Sequence, residues 1–501
     1  MDTVSAPTTH HQSPHAVHHR QPGHPAPHTT AEPDAGARKS WTVLVLALTA
    51  QILVVLDISV VNTALPAIGA SLRLGSSELS WLVTAYLLLS GGGLLLGGRI
   101  ADLLPRRSVF LTGIAIFTGG SLLSGFAGSA AELIAGRAAQ GLGAALMTPA
   151  ALSLVMTTYA GAQRTKGLAL WGAVGSLGIA AGVLLGGALT TWAGWQAIFW
   201  VNVPIGVVAL AVGLKILPSN PTVRANLSQF DLLGGLTVIG GLATLMFGLA
   251  STSAHGWSSV RVLSAFVASA VLLTAFVRVE RRAARPLVPP HTWKVTTLVS
   301  GTTVMLGVTA LLVGTVFLTS VFLQTVLGFS ALRAGVAFLP LAVAVAAGTH
   351  VAGKLLGRTA PRTIAAGGLG LATVGAVLLS MTGSGAHFVS DLLPGMVVLG
   401  FGVGLVFVAV AVTAMAGIPA QHAGMASGFL MTGHEVGAAL GVAILSAVAT
   451  GAGSLTDPAG VVVGFSPAFV AAAVLTVLVG VVAWLRMPAA RMTGAPAMHM
   501  H

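Results

Sequence analysis

From Trp41 onward the chain alternates between long apolar runs and short clusters of polar and basic residues. Fourteen runs stand out, at 41–65, 79–98, 108–128, 131–158, 166–190, 195–217, 231–252, 261–279, 295–320, 334–352, 363–383, 391–416, 424–449 and 466–486. A helix rises about 1.5 Å per residue, so roughly twenty apolar residues cross the hydrocarbon of a bilayer. Membrane strands would be about ten residues long and alternate in polarity, and these runs do neither. The pattern predicts an all-α polytopic membrane protein with fourteen transmembrane helices.

The polar clusters between the runs carry the orientation. With the amino terminus placed in the cytoplasm, twenty of the 24 Lys and Arg fall on that side. Only Arg73, Arg261 and Arg333 fall outside, and Arg137 lies within a run. Such a bias is the positive-inside rule, and a miscounted span would scramble it. Both termini are therefore expected in the cytoplasm. Residues 1–40 are polar and the first run is long enough to stay as a span, so no cleavable signal peptide is expected.

Composition narrows the class. Of 501 residues, 55% are hydrophobic and 7% charged, against about 25% charged in soluble domains. The net charge of +12 would suggest nucleic acid in a soluble protein, but here it reflects the inside loops, and no nucleic-acid partner is expected. Absence of cysteine excludes disulfides and thiolate sites. No GxxxxGK[ST], HExxH or GxSxG occurs, and no soluble segment has room for a nucleotide-binding domain. An enzyme, a cofactor and a metal site are not expected; an ion gradient is left as the energy source. The tail holds His10, His11, His15, His18, His19, His24 and His28. Metal binding is one reading of these, but the composition cannot bury a core and favours a disordered tail.

A weak repeat divides the chain. GGRIADLLPRRS (97–108) and AGKLLGRTAPRT (352–363) each join two runs on the inside, 255 residues apart. Gly98 matches Gly353, Arg99 matches Lys354 and Arg107 matches Arg362. The expected organisation is a tail at 1–40, an N-terminal six-helix bundle at 41–217, a linker with two inserted helices at 218–294, a C-terminal six-helix bundle at 295–486 and a tail at 487–501. Duplicated halves of this kind are a transporter device.

Charges inside the runs carry the chemistry. Asp57 lies about 24 Å along the first helix and Glu435 roughly 16 Å into the thirteenth. Arg137 lies in the outer part of the fourth. A charge at such depth costs about 2.5–3.5 kcal/mol on insertion scales, so each needs a use. Burial favours a neutral carboxyl and a nearby cation favours the charged one, so an acid poised between them can change protonation as its surroundings switch. A structural ion pair between Asp57 and Arg137 is the plainer reading. Glu132, Asp231, Glu280 and Asp391 sit at run ends and need only water and headgroups. His434 reads as a satisfied core histidine rather than a proton shuttle, because neighbours on a helix point about 100° apart. Gly175, Gly178, Gly182 and Gly186 form one stripe and Gly433, Gly437 and Gly441 another, both suited to close helix approach.

LDISVVNTALP (56–66), GRIADLLPRR (98–107), LIAGRAAQGLGAA (133–145), WQAIFWVNVPIG (195–206), LQTVLGFSALRAGVAFLP (323–340) and EVGAALGVAIL (435–445) follow one another in order. Together they resemble the major facilitator superfamily, specifically the fourteen-span drug:proton antiporters of bacteria. The resemblance implies two six-helix bundles rocking about a central cavity, with two helices inserted between them. It implies that Asp57, Asn62, Gln140 and Glu435 face that cavity, that Arg137 tunes the proton site, and that Gly98, Asp102, Arg106 and Arg107 latch the inner gate. Gly178, Gly182, Gly186 and Gly187 match the fifth-span glycine motif, with Val183 where the family has proline. Leu103 and Pro105 stand where the loop motif has a basic residue and glycine. The function so implied is proton-coupled export of amphipathic or cationic small molecules by a monomer in the lipid bilayer. Dedicated export of one natural product, and a non-transporting sensor or scaffold, remain alternatives.

Overall fold

The computed structural model describes residues 35–490 apart from 75, 218–230, 284–285, 289–291, 293, 454 and 456. Residues 1–34 of the His-rich tail, residues 218–230 of the linker and residues 491–501 thus lie outside the described residues. Among those described, every regular element is helical. The N-terminal half holds α1 (Ala35–Leu72), α2 (Ser76–Leu103), α3 (Arg106–Gly125), α4 (Ala130–Thr158), α5 (Gly161–Ala193), α6 (Ala197–Trp200) and α7 (Asn202–Ile216). Two further helices follow, α8 (Leu232–His255) and α9 (Val260–Glu280). The C-terminal half holds α10 (Thr296–Thr325), α11 (Ala331–Ala337), α12 (Leu339–Leu355), α13 (Pro361–Ser380), α14 (Leu393–Ala414), α15 (Ala423–Ala452) and α16 (Pro458–Arg486). Helix α1 starts at Ala35, ahead of the expected Trp41.

Among the described residues, twelve helical stretches are long and apolar enough to cross a membrane. The expected count of fourteen would need α5 and α8 as well, which fall outside the twelve; the apolar part of α8 is the shorter stretch Leu233–Leu249. Helix starts carry the local chemistry that apolar runs cannot supply. Ser129, Asp231, Ser259, Ser330 and Asp457 each accept a backbone N–H in the first turn of the helix they precede, satisfying donors that would otherwise be orphaned.

The two halves repeat one packing scheme. In the first, α1 lies on α5, and in the second α10 lies on α15. Both contacts are made by glycine stripes. Gly178, Gly182 and Gly186 face Val55, Ser59 and Thr63 of α1, while Gly433, Gly437 and Gly441 face Thr302, Leu306 and Ala310 of α10. A Cβ at Gly437 or Gly441 would run into the backbone of the facing helix, so only glycine permits this separation. Gly187 departs from its stripe and faces Leu332 of α11.

The halves meet along two seams, α2 with α15 and α5 with α12. Helix α8 covers the first, packing on both α2 and α15; Met246 of α8 and Glu435 of α15 both approach Gly91. Helix α9 lies outermost, with 22% of its apolar window buried against 72% for α4. Its exposed Val260, Leu263, Val267 and Val271 are a face for lipid tails. Glu280, expected to be solvated, is instead 8% exposed. Its carboxylate accepts the backbone N–H groups of Leu287 (2.9 Å) and Val288 (3.2 Å), tying the segment after α9 beneath α2.

Candidate functional site

An apolar helix that carries an acid must give it partners, because an unpaired charge cannot be buried cheaply. Asp57, on α1, is 2% exposed. Its Oδ2 pairs with Nη1 of Arg137 on α4, and its Oδ1 accepts from Nε2 of Gln140 at 2.6 Å and Nδ2 of Asn202 at 3.3 Å. Arg137 also donates from Nη1 to Gln140 Oε1 (2.9 Å) and from Nε to the Leu82 carbonyl (3.2 Å). Its guanidinium lies 4.4 Å from the centre of the Tyr86 ring. Gln140 Nε2 also reaches Ser121 Oγ at 2.9 Å. The acid is thus held by side chains from α4 and α7, while α3 holds Gln140 through Ser121 and α2 offers Arg137 a carbonyl and an aromatic face.

The expected pairing of Asp57 and Arg137 is present. Asp57 and Gln140, expected to face a cavity, are buried in this conformation: Gln140 is 0% exposed, and the network closes over both. Asn62 lies one turn further along α1, and its side chain is outside the described residues, as is that of Val183. Ser121, Asn202 and Tyr86 were not singled out from the sequence. Each shares its apolar run with at least one other uncharged polar group, and nothing in the pattern selects it from the others.

Glu435 is placed differently. Its side chain keeps 20% exposure, and its Oε1 lies 3.3 Å from Nδ1 of His434. His434 is therefore not a satisfied core histidine: it is half-open, beside the acid and 6.4 Å from the Phe407 ring. Flexible side chains overcome the angular offset between neighbouring positions. Glu435 sits on the α2–α15 seam, its Cβ 3.7 Å from where a Cβ on Gly91 would lie.

The loop motif joins the halves at the basic end. Asp102 accepts the backbone N–H groups of Gly424 and Met425, both at 2.7 Å, at the amino terminus of α15. There the helix dipole favours an anion. Arg106 lies 3.9 Å from Asp102 and donates Nε to Ser153 Oγ at 2.8 Å. Gly98 lets the α2 backbone lie directly on that of Gly424. Arg107 does not join this latch; its Nη2 donates to the Leu214 carbonyl of α7 at 2.6 Å. Its repeat partner Arg362 stacks 4.6 Å from the Trp484 ring of α16. The repeated arginines thus each fasten the last helix of their own half, whereas the acid at 102 has Gly357 as its counterpart. The basic end is closed by an interaction only one half can make.

The family model described as Major Facilitator Superfamily matches residues 47–442. The chain is 37% identical over 462 residues to the cephamycin export protein of Amycolatopsis lactamdurans, covering 92% of this chain and 95% of that protein. It is 37% identical over 467 residues to the puromycin resistance protein of Streptomyces alboniger, covering 89% and 91%. Among solved structures, the human organic anion transporter MFSD10 superposes with a TM-score of 0.59 over 90% of this chain and 100% of that one. At 17% identity that likeness concerns the fold alone.

Proposed function

The chain belongs to the Major Facilitator Superfamily, among its antibiotic and drug efflux transporters, and from that premise we propose that it exchanges protons for amphipathic or cationic small molecules across a bacterial inner membrane. The observation that carries the proposal is the sealed Asp57–Arg137 pair. An ion pair buried among five helices is rarely the most stabilising way to fill that volume, so a second use explains its retention. A proton on Asp57 cancels its charge and releases Arg137 and Gln140, loosening α1 from α4. Loss of that proton re-forms the network. In this reading the Asp102 contacts with α15 are the latch that shuts the cytoplasmic end in one arm of the cycle. Glu435, partly exposed while the latch is closed, offers an anionic group with the Phe407 and His434 rings nearby, a setting for a lipophilic cation. About 100 mV of membrane potential supplies roughly 2.3 kcal/mol per net charge moved.

The test is efflux from proteoliposomes under an imposed pH gradient, with Asp57→Asn beside the wild type. The variant should insert normally and lose gradient-driven efflux. Undiminished pH-dependent efflux by Asp57→Asn would refute the coupling. A narrower reading, export of a single natural product, is favoured by relatives named for one antibiotic each. A panel spanning a cephamycin, puromycin, tetracenomycin C and ethidium separates the two.

A further inference from the structure

At the end of the bundle opposite the basic loops, cations are scarce: its turns and helix starts carry Arg73, Arg261 and Arg333 and no other Lys or Arg. Arg261 stands at the start of α9, the outermost helix. Its guanidinium lies 5.0 Å from the centre of the Phe247 ring of α8, a favourable seat for a cation. Phe247 in turn stacks on Trp81 of α2, ring centres 5.8 Å apart and planes 25° apart. Three helices thus join in one column that ends in a positive charge. Nε2 of His255, the last residue of α8, lies 3.5 Å from Arg261 Nη1. Among the described residues neither base has a carboxylate partner, and Glu78, one turn before Trp81, is engaged elsewhere. Two bases held side by side with no acid favour an anion between them, since only an opposite charge offsets their repulsion.

The surroundings set the kind of anion. Trp81 and Trp257 are both exposed, and the Trp257 ring packs on Phe266 of α9 at 5.9 Å. Exposed tryptophans mark the headgroup level of a bilayer. Below them, Val260, Leu263, Val267 and Val271 run down the exposed side of α9. A phosphate held at Arg261 therefore lays its acyl chains along an apolar stripe, from which a water-soluble anion gains nothing.

We propose that Arg261 and His255, seated on Phe247 and Trp81, bind the phosphodiester headgroup of an anionic phospholipid in the leaflet at the end opposite the basic loops. The guanidinium donates to the phosphoryl oxygens, the Phe247 ring keeps it flat, and His255 adds a second donor. Because Trp81 belongs to α2, the bound lipid fastens α8 and α9 to the N-terminal half, on the flank where α8 also packs on α15. This inference is independent of proton exchange.

Native mass spectrometry of the full-length, delipidated protein in detergent tests it, with dioleoylphosphatidylglycerol as probe. The wild type should bind one phosphatidylglycerol more tightly than dioleoylphosphatidylcholine. Arg261→Gln should weaken that binding about fivefold, the worth of one basic side chain at an anionic surface. Arg261→Lys, which keeps the charge without the flat ring contact, should fall between. Arg333→Gln removes an equal charge at the same end, on α11 beside α5, and should bind as the wild type does. An unchanged Tm without lipid shows that each variant is folded. Equal affinity in the wild type and Arg261→Gln overturns the proposal, as does an equal loss in Arg333→Gln, which marks bulk charge rather than a site. Displacement of the lipid by glycerophosphoglycerol or inorganic phosphate at comparable concentration also overturns it, assigning the two bases to a soluble anion.

Discussion

Replacing Asp102 by alanine should open the basic end, where α2 meets the start of α15. In the closed conformation its carboxylate, 1% exposed, takes two backbone N–H groups from the first turn of α15 at 2.7 Å. Each hydrogen bond to a charged group is worth about 1.5–3 kcal/mol net of water. Once the halves separate, water solvates both partners, so the loss falls on the closed state alone. Taking the low end for each bond gives a shift of about 3 kcal/mol, roughly a hundredfold in the ratio of closed to open molecules. The chain has no cysteine, so a single Met156→Cys reports without background. Met156 is 6% exposed and lines a pocket between the halves with Arg164, Met415 and Ile418. In inside-out vesicles, its labelling by a membrane-impermeant maleimide should accelerate at least about tenfold with Asp102→Ala. Asp102→Asn, which keeps one acceptor, should fall between. Equal labelling rates in all three proteins would refute the latch and its energetic weight.

Arg137→Lys should fail despite keeping the charge, because one ammonium cannot serve Asp57, Gln140 and the Leu82 carbonyl while lying on Tyr86; a loss of about 2–4 kcal/mol would appear as a lowered Tm in detergent and no gradient-driven efflux. Gly437→Val should prevent α15 from seating on α10, read as loss of a monodisperse peak in size exclusion. Gly353→Ala, where a Cβ meets nothing within 4 Å, should behave as wild type, within about 0.5 kcal/mol. Glu280→Ala leaves two buried N–H groups unpaired and should lower Tm by several degrees, at about 1–3 kcal/mol per group, without altering the pH dependence of efflux.

Much of this protein was legible in its residues. Apolar run length determines helix, because lipid offers backbone groups no partner outside the segment itself. Glycine every fourth residue announced the α5 and α15 faces that other helices approach, since only a missing side chain allows that distance. The cost of charge in hydrocarbon singled out Asp57, Arg137 and Glu435 with no structure in hand. What the sequence could not say was what these groups face, because partners such as Arg137, 80 positions from Asp57, are chosen by packing rather than by local pattern. Tertiary structure alone brought Gln140, Asn202 and Tyr86 around the Asp57–Arg137 pair and closed that pair off from any cavity. It left Glu435 open beside His434, buried Glu280 where water was expected, and gave Asp102 to the first turn of α15 while turning Arg107 toward α7. Depth along a helix can be counted from sequence; the direction a side chain takes at that depth is decided by which helix lies next to it.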